Sequence, residues 1–283
     1  MPICRFDNER LGVVQGDSVV DVTSVLAALP AYKYPLPRYD PLIAGLASLR
    51  PALEEAARHG ERKKLADVHL LSPVANPGKI MAAPVNYADH LKEATDTADL
   101  NHGKKIDEIQ KIGIFLKANS SLQGASQGVR IEHPQRRNDH EVELVVVIGK
   151  AGRNIERACA HEYIAGYSIG LDMTVRGPEE RSMRKSIDTF SVVGPWLATA
   201  DEIVDSGRLD MTIHVNGELR QKSNTADLLM DIGALIEFAS SFYTVQPGDL
   251  LFTGTPAGVG PVQPGDCMVA EISGIGRMRV MVR

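Results

Sequence analysis

Two glutamates, Glu141 and Glu143, lie one residue apart at the start of an apolar run, in the stretch DHEVELVVVIGK (139–150). Residues 145–148 are four β-formers in a row and predict a buried strand. In a strand, residues i and i+2 project from the same face, roughly 6.5 Å apart along the chain. Because an unpaired carboxylate is costly to bury, two of them on one face indicate a shared cation. The alternative is a strand end whose two acids are solvated.

A third acid, Asp172, interrupts a second apolar stretch, GYSIGLDMT (166–174). A neighbouring strand can present it to the same cation as Glu141 and Glu143. Three carboxylates with no evident Cys or His ligand form a hard, oxygen-rich site. Such a site suits Mg²⁺, Mn²⁺ or Ca²⁺ better than Zn²⁺.

The segment NYADHLKEA (86–94) predicts a helix that carries His90 and Glu93 on one face. A carboxylate beside an imidazole orients the ring and raises its basicity, which suits a general base acting on water. The alternative is a surface His–Glu pair. Lys185, in the run RKSIDTF (184–190), is a candidate anchor for an anionic substrate if it lies near the carboxylates, and a surface charge otherwise.

Two further motifs are considered as signs of a dinucleotide-binding enzyme and of a serine hydrolase. TGTPAGVG (253–260) has small residues, hydroxyls and N–H groups that can bind a carboxylate. It is not GxGxxG and no helix signal follows, so dinucleotide binding is disfavoured. GYSIG (166–170) matches GxSxG, but a nucleophile elbow needs a helix after the serine and the residues that follow favour a strand.

Composition narrows the class of protein that must position these residues. The chain has 283 residues, of which 43% are hydrophobic and 24% charged, as in an ordinary globular protein. A net charge of −5, 5% aromatic residues and no basic cluster argue against a nucleic-acid partner. No apolar run approaches the roughly 20 residues that span a bilayer, and the first residues lack a signal-peptide core, so we expect no membrane partner and a cytoplasmic location. The 3 cysteines are far apart without a CxxC pair, which predicts free thiols.

Turn signals at NPG (76–78) divide the chain into two predicted domains, 1–76 and 77–283. The first has signals for two strands at 12–20, a short helix at 22–29, a helix over 42–65 interrupted at Pro51, and a strand at 68–71, which makes a small α/β unit. The second is rich in short strands, which argues for a β-sandwich, roll or barrel-like core. Residues 96–111 are polar and are interpreted as a mobile loop. The predicted strands after residue 77 are 79–82, 113–116, 142–148, 165–171, 211–215, 250–253, 268–272 and 278–282, and the predicted helices are 87–94, 106–111 and 231–241.

Seven stretches, in this order, resemble the fumarylacetoacetate hydrolase family over residues 79–283, near its acylpyruvate hydrolases and 2-hydroxyhepta-2,4-diene-1,7-dioate isomerases. They are NYADHLKEA, FLKANSSLQG, HEVELVVVIGKAGRNI, GYSIGLDMTVR, KSIDTFSVVGPWL, VNGELRQ and PGDLLFTGTPAGVG. The resemblance implies a mainly β protein with some α: a β-roll or sandwich catalytic domain preceded by a small α/β domain. It also implies a homodimer that binds Mg²⁺ or Mn²⁺.

The resemblance further assigns roles to the candidate residues. Glu141, Glu143 and Asp172 become the metal ligands. His90 and Glu93 become the water-activating pair, on a lid that orders over the substrate.

The same comparison implies a set of substrate contacts. Lys185 would hold substrate oxygens, and Thr255 of TGTP would help to bind the substrate carboxylate. Asn86 and Tyr87 of the NYADH segment and Lys117 of FLKANSS complete the expected contacts on this side.

The sequence departs from the family pattern after Arg176. Many members continue with Asp, an apolar residue and Gln, whereas Gly177-Pro178-Glu179-Glu180 and a short loop follow here. Glu179 falls where the glutamine is expected, and an ionised carboxylate cannot donate hydrogen bonds. Glu179 and Arg181 are therefore candidates for the distal half of the substrate pocket, where Arg181 or Arg184 is expected to take over contacts with an anion.

These residues together predict metal-assisted hydrolysis of a C–C bond in an acylpyruvate-type β-diketo acid, such as a fumarylpyruvate or acetylpyruvate. His90 would deprotonate water, and the cation with Lys185 would stabilise the departing enolate. The alternative is an isomerase or decarboxylase of 2-oxo or 2-hydroxymuconate-type diacids, oxaloacetate included, in aromatic catabolism. A third hypothesis is a non-catalytic binding protein on the same scaffold, which loss of a ligand or of the His–Glu pair would mark; neither is lost.

Overall fold

Strands dominate the computed structural model of the protein, which describes residues 1–103, 105 and 107–283. The prediction of a mainly β fold with some helix is confirmed. The strands before residue 141 are β1 (Pro2–Phe6), β2 (Arg10–Gln15), β3 (Ser18–Asp21), β4 (Arg62–Lys64), β5 (Leu70–Leu71), β6 (Ile80–Ala82), β7 (Phe115–Lys117), β8 (Leu122–Gln123) and β9 (Asn138–His140). The later strands are β10 (Val142–Ile148), β11 (Ile164–Asp172), β12 (Thr174–Val175), β13 (Ser191–Thr199), β14 (Asp210–Val215), β15 (Glu218–Asn224), β16 (Leu250–Phe252), β17 (Gly260–Pro261), β18 (Cys267–Ile272) and β19 (Gly276–Met281).

The helices are short apart from the first and the last. They are α1 (Pro41–His59), α2 (Ala88–Asp96), α3 (Ala98–Asn101), α4 (Ile109–Ile112), α5 (Arg181–Lys185) and α6 (Ile232–Phe242). Within the described ranges, none of them is both long enough and apolar enough to cross a membrane.

A 12-stranded sheet runs through the molecule in the order β4-β3-β2-β1-β13-β11-β10-β16-β6-β7, with β5 paired to β1 and β8 paired to β13. A sheet of β15-β14-β18-β19 and a small sheet of β12-β9-β17 complete the fold. Strand β10 is buried on both faces: Leu144 packs in the core shared with Ile213 of β14, while Val145 packs on the other side with Ile80 and Phe252. Alternate residues therefore serve two cores, which explains the unbroken apolar run in β10.

The N-terminal strands and α1 build a separate core, in which Leu49 and Leu53 pack against Val13. Asp40 caps α1 by accepting a hydrogen bond from the backbone N–H of Ile43. The predicted interruption at Pro51 is wrong, because α1 continues through it. Pro51 lies on the exposed side of the helix, where water can satisfy the carbonyl group that loses its partner.

Strand β13 has no counterpart among the predicted strands, because Gly194-Pro195 signals a break. The strand tolerates Pro195 because its register against β11 shifts beside it, as in a β-bulge. The hydroxyl of Ser168, from the GxSxG match, donates to the carbonyl oxygens of Gly194 and Trp196 at this bulge, at 3.0 Å and 2.9 Å. Ser168 is thus a buried strand residue, and the exclusion of a nucleophile elbow is confirmed.

The segment 96–111, interpreted as a loop, instead carries α3 and α4. Leu100 and Ile109 of this segment are buried, but its large apolar residues are too few to create a sustained helical pattern. Lys104 and Ile106, which include the start of the predicted helix 106–111, lie outside the described residues.

Candidate metal-dependent active site

Three carboxylates meet where β10 begins and β11 ends. Glu141, Glu143 and Asp172 are buried, and each offers an oxygen that lies within 4.8 Å of the others. Antiparallel pairing of Val142 with Leu171 sets this arrangement, and the backbone N–H of Asp172 donates to the carbonyl oxygen of Glu141 at 2.9 Å. The structure thus brings together the three residues predicted as metal ligands.

The pKa values of two carboxyl groups in this cluster shift in opposite directions. Burial and the neighbouring Asp172 raise the pKa of Glu143 well above its usual value. Burial also disfavours the ionised form of Glu141, but Lys185 and Arg176 outweigh it and hold the pKa of Glu141 below its usual range. A buried set of three carboxylates, which are hard oxygen donors, fits a hard divalent cation.

Two lysines reach the cluster from opposite elements. Lys185, the last residue of α5, places Nζ 2.5 Å from Glu141 Oε2, 2.8 Å from Asp172 Oδ2 and 2.6 Å from Thr174 Oγ1. Lys117, at the end of β7, donates to the other oxygen of Asp172. Burial lowers the pKa of Lys117, against the attraction of Asp172. The predicted substrate contact Lys117 is therefore turned towards a metal-ligand candidate.

A chain of alternating charges continues outwards from Glu141. Arg176 donates to Glu141 Oε1 at 2.8 Å and to Asp139 Oδ2 at 2.7 Å. Arg137 donates to the other oxygen of Asp139 at 2.8 Å and lies 3.7 Å from Asp99 of α3. Sequence analysis missed these roles, although Asp139 shares the strand parity of Glu141.

His90 and Glu93 of α2 form the predicted pair. His90 Nδ1 lies 2.9 Å from Glu93 Oε2, and Glu93 Oε1 accepts a hydrogen bond from the backbone N–H of Gly258 at 2.9 Å. With Nδ1–H directed to the carboxylate, Nε2 carries the lone pair that can accept a proton. Once protonated, His90 helps to lower the pKa of Glu141, which places the imidazole near the carboxylates.

Asn86 and Tyr87, predicted as substrate contacts, are engaged by the protein itself. The Asn86 amide donates to the carbonyl oxygens of Met230 and Thr253, both at 2.9 Å, and its oxygen accepts from the N–H of Met230 at 2.8 Å. The Tyr87 hydroxyl lies 3.6 Å from the Met211 sulfur, and burial raises the pKa of Tyr87. Both residues fix the start of α2, and their contact with substrate stays a prediction.

Thr255 is also held by hydrogen bonds inside the protein. Its hydroxyl donates to the carbonyl oxygen of Val142 at 2.9 Å and accepts from Gln221 Nε2 at 2.8 Å. Its predicted contact with the substrate carboxylate therefore stays a prediction. Gln221 was missed as a site residue, because its neighbours on β15 are polar and the strand resembles a surface strand.

Glu179, the residue at the departure from the family pattern, forms a two-point ion pair with Arg136, at 3.0 Å and 2.8 Å. Arg136 lowers the pKa of Glu179 and also donates to the carbonyl oxygen of Arg176 at 2.7 Å. Glu179 thus braces the short loop after β12. Its predicted contact with substrate is not tested by these contacts and stays a prediction.

Arg181, in contrast, has a guanidinium that no acid or carbonyl of the described chain engages. Its Cζ lies 5.6 Å from the centroid of the Phe115 ring, and Lys185 Nζ lies 5.7 Å from the same centroid. Burial lowers the pKa of Arg181. Nearby Arg184 donates to the backbone oxygens of Glu179 and Val175.

Comparisons with known proteins agree with this arrangement. The family description "Fumarylacetoacetate (FAA) hydrolase C-terminal" matches residues 79–283. A maleylpyruvate hydrolase of Aquipseudomonas alcaligenes is 58% identical over 285 residues, which cover 100% of this chain and 99% of that relative. The crystal structure of a maleylpyruvate hydrolase from Sphingobium sp. SYK-6, in complex with manganese(II) ion and pyruvate, is 43% identical with a TM-score of 0.85 and covers 100% of this chain and 98% of its own.

A more distant similarity involves another activity. The 4-hydroxyphenylacetate degradation bifunctional isomerase/decarboxylase of Salmonella dublin is 38% identical over 212 residues, which cover 73% of this chain and 47% of that relative. The family match and the full-length relatives decide the assignment. The chain belongs to the fumarylacetoacetate hydrolase family, as an enzyme of its metal-dependent hydrolase type.

Proposed function

We propose that this enzyme hydrolyses the C–C bond between the acyl group and the pyruvate unit of an acylpyruvate that ends in a second carboxylate, as maleylpyruvate does. The main support for this proposal is the guanidinium of Arg181, which has no acidic partner among the described residues. It lies beside the Phe115 ring, as does the ammonium of Lys185. A partly buried cation without an acidic partner is costly, and a substrate carboxylate would provide the partner. The full-length similarity to maleylpyruvate hydrolases supports the same substrate class.

Glu141, Glu143 and Asp172 would hold the divalent cation, with Mg²⁺ and Mn²⁺ as the candidates. When bound, the cation supplies Lewis acidity to the oxygens of the 2-oxo acid. Lys185 adds a positive charge at the same place, because its ammonium already contacts two of the three ligands.

His90 is the general base. Glu93 holds its Nδ1–H, so Nε2 takes a proton from water and the hydroxide adds to the distal carbonyl carbon. The C–C bond then breaks, and its electron pair forms the pyruvate enolate. His90 returns the proton to the enolate carbon, which yields pyruvate and the free acid of the acyl group.

The charge of Arg181 would select the second carboxylate. A charge-assisted hydrogen bond contributes about 1.5–3 kcal/mol, so substrates with a distal carboxylate are favoured over acetylpyruvate.

We also propose a homodimer, on the basis of the family resemblance. Light scattering on the purified protein tests that assembly.

The experiment is an assay of purified protein with Mg²⁺ or Mn²⁺ against maleylpyruvate, fumarylpyruvate, acetylpyruvate and oxaloacetate, with pyruvate as the measured product. We expect turnover of the two dicarboxylic acylpyruvates and its loss in His90→Ala. Absence of pyruvate from every acylpyruvate contradicts the proposal. Double-bond migration or CO₂ release without hydrolysis would favour the isomerase or decarboxylase alternative, which does not need attack by water.

A further inference from the structure

One buried polar side chain reaches the site from a hairpin outside it. Gln221 of β15 is 1% exposed, and each polar atom of its amide makes two contacts. Nε2 donates to Thr255 Oγ1 at 2.8 Å and to the carbonyl oxygen of Pro256 at 2.7 Å. Oε1 accepts from the backbone N–H of Val142 at 3.0 Å and lies 3.1 Å from His140 Nδ1.

The amide of Gln221 links strand β10, which carries Glu143, to the loop 253–258, which contacts Glu93. On the acceptor side, Val142 is the residue between Glu141 and Glu143. On the donor side is the loop 253–258, whose backbone N–H groups at Gly254 and Gly258 donate to Glu143 and Glu93, at 2.7 Å and 2.9 Å.

The loop is also packed closely on the same hairpin. Gly258 has a φ of +96°, and a Cβ there would overlap the carbonyl oxygen of Arg220, the residue before Gln221. The position of the loop relative to β10 is therefore set by β15, at the point where Gln221 bridges them.

We propose that Gln221 is a positioning residue that fixes the loop 253–258 against strand β10. It thereby sets the position of the candidate metal ligand Glu143 relative to Glu93. The predicted effect of Gln221 on metal affinity, through Glu143, is independent of the substrate. The predicted effect on turnover, through Glu93, rests on the proposed function, because Glu93 acts there by orienting His90.

The contacts explain why an amide is required. The side chain must donate two hydrogen bonds from one atom and accept at another, and it must be as long as a glutamine to reach both sets of partners. Glutamate has the same shape, but when ionised it cannot donate to Pro256. Methionine has a similar length and offers neither function.

The test compares Gln221→Glu and Gln221→Met with Lys222→Met, a control at an exposed neighbour on the same strand. Mn²⁺ affinity is measured by calorimetry on substrate-free protein, together with kcat and KM. Loss of a direct partner of a metal ligand typically costs about 10–100-fold in affinity or activity. Gln221 acts one contact further out, through the loop that holds Gly254, so we expect Mn²⁺ binding weakened by about tenfold in both Gln221 variants and unchanged in Lys222→Met. Thr255→Val, which removes one of the four contacts, should give a smaller loss and provides the readout if the Gln221 variants fail to fold.

A double-mutant cycle separates positioning from general loosening of the fold. If Gln221 acts through Glu93, then Gln221→Met lowers kcat much less in a Glu93→Gln background than in the wild type. Wild-type Mn²⁺ affinity in both Gln221 variants, or effects on kcat that simply multiply, would overturn the proposal. Failure of the proposed function would instead appear as an inactive wild type that still binds Mn²⁺.

Discussion

Lys185 and Glu141 form an ion pair in the interior, with Nζ 2.5 Å from Oε2, beside the residues that would hold a cation. The ammonium also contacts Asp172. A positive charge of the chain itself therefore neutralises part of the cluster.

Replacing this lysine should destabilise the protein. Lys185→Met removes the charge that most strongly keeps Glu141 ionised, and breaking one partner of a buried pair costs about 3–5 kcal/mol. We expect the free energy of unfolding in urea, without metal, to fall by about that amount, and turnover to be lost. The exposed Lys222→Met serves as the control, and equal stability of the Lys185 and Lys222 variants contradicts this reasoning.

Metal affinity should depend on pH through Glu143. Its raised pKa means that metal-free protein retains a proton there at pH values where an ordinary glutamate is ionised. A metal ligand must be deprotonated, so Mn²⁺ affinity should increase as the pH rises towards that raised pKa, with release of a proton. Calorimetry in two buffers of different ionisation enthalpy measures the proton, and an affinity for Mn²⁺ that stops rising at the pH where an ordinary glutamate is ionised would count against the raised pKa.

The same shift predicts an unusual stability effect. A carboxyl whose pKa is raised on folding stabilises the native state less as the pH rises through that pKa. Glu143→Gln removes the ionisable carboxyl group but keeps an oxygen for the N–H of Gly254. We expect this variant to be as stable as the metal-free wild type at neutral pH, or more so, with no stabilisation by Mn²⁺. Glu143→Ala should likewise fold and lose metal binding and activity. A rise in melting temperature with Mn²⁺ in either variant is the contrary result.

Arg181 should discriminate among substrates by charge. Arg181→Met removes the only contact proposed for the distal carboxylate, so kcat/KM for dicarboxylic acylpyruvates should fall about 10–100-fold, in line with a charge-assisted hydrogen bond. The value for acetylpyruvate should change little. Equal losses for both substrates would indicate a structural role for Arg181 on Phe115.

Local patterns in the sequence were sufficient for part of the site. Alternation identified Glu141 and Glu143, and helical spacing paired His90 with Glu93, because such contacts arise within one element. The metal-dependent hydrolase inferred from the family resemblance is confirmed by full-length relatives.

Contacts between distant elements could not be predicted in this way. Gln221 meets Val142 and Thr255 because strand pairing and loop packing bring β15 to the site, and nothing within β15 signals that meeting. In the sequence, Arg176 and Asp139 cannot be distinguished from other charged residues. Only strand pairing in the folded protein brings Arg176 into contact with both Asp139 and Glu141. Strand β13 was not predicted because Pro195 signals a break, and the strand accommodates that proline at an irregularity in its own register against β11.

Pairing between β1 and β13 has a practical consequence for anyone who expresses part of this chain. Pro2 and Ile3 lie opposite Ala198 and Leu197, so the first strand covers one edge of the apolar strand SVVGPWLAT. A fragment that begins after residue 76 would leave those backbone groups open, and an uncovered apolar edge is a template for pairing with another chain. We therefore expect such a fragment to aggregate more readily than the full chain.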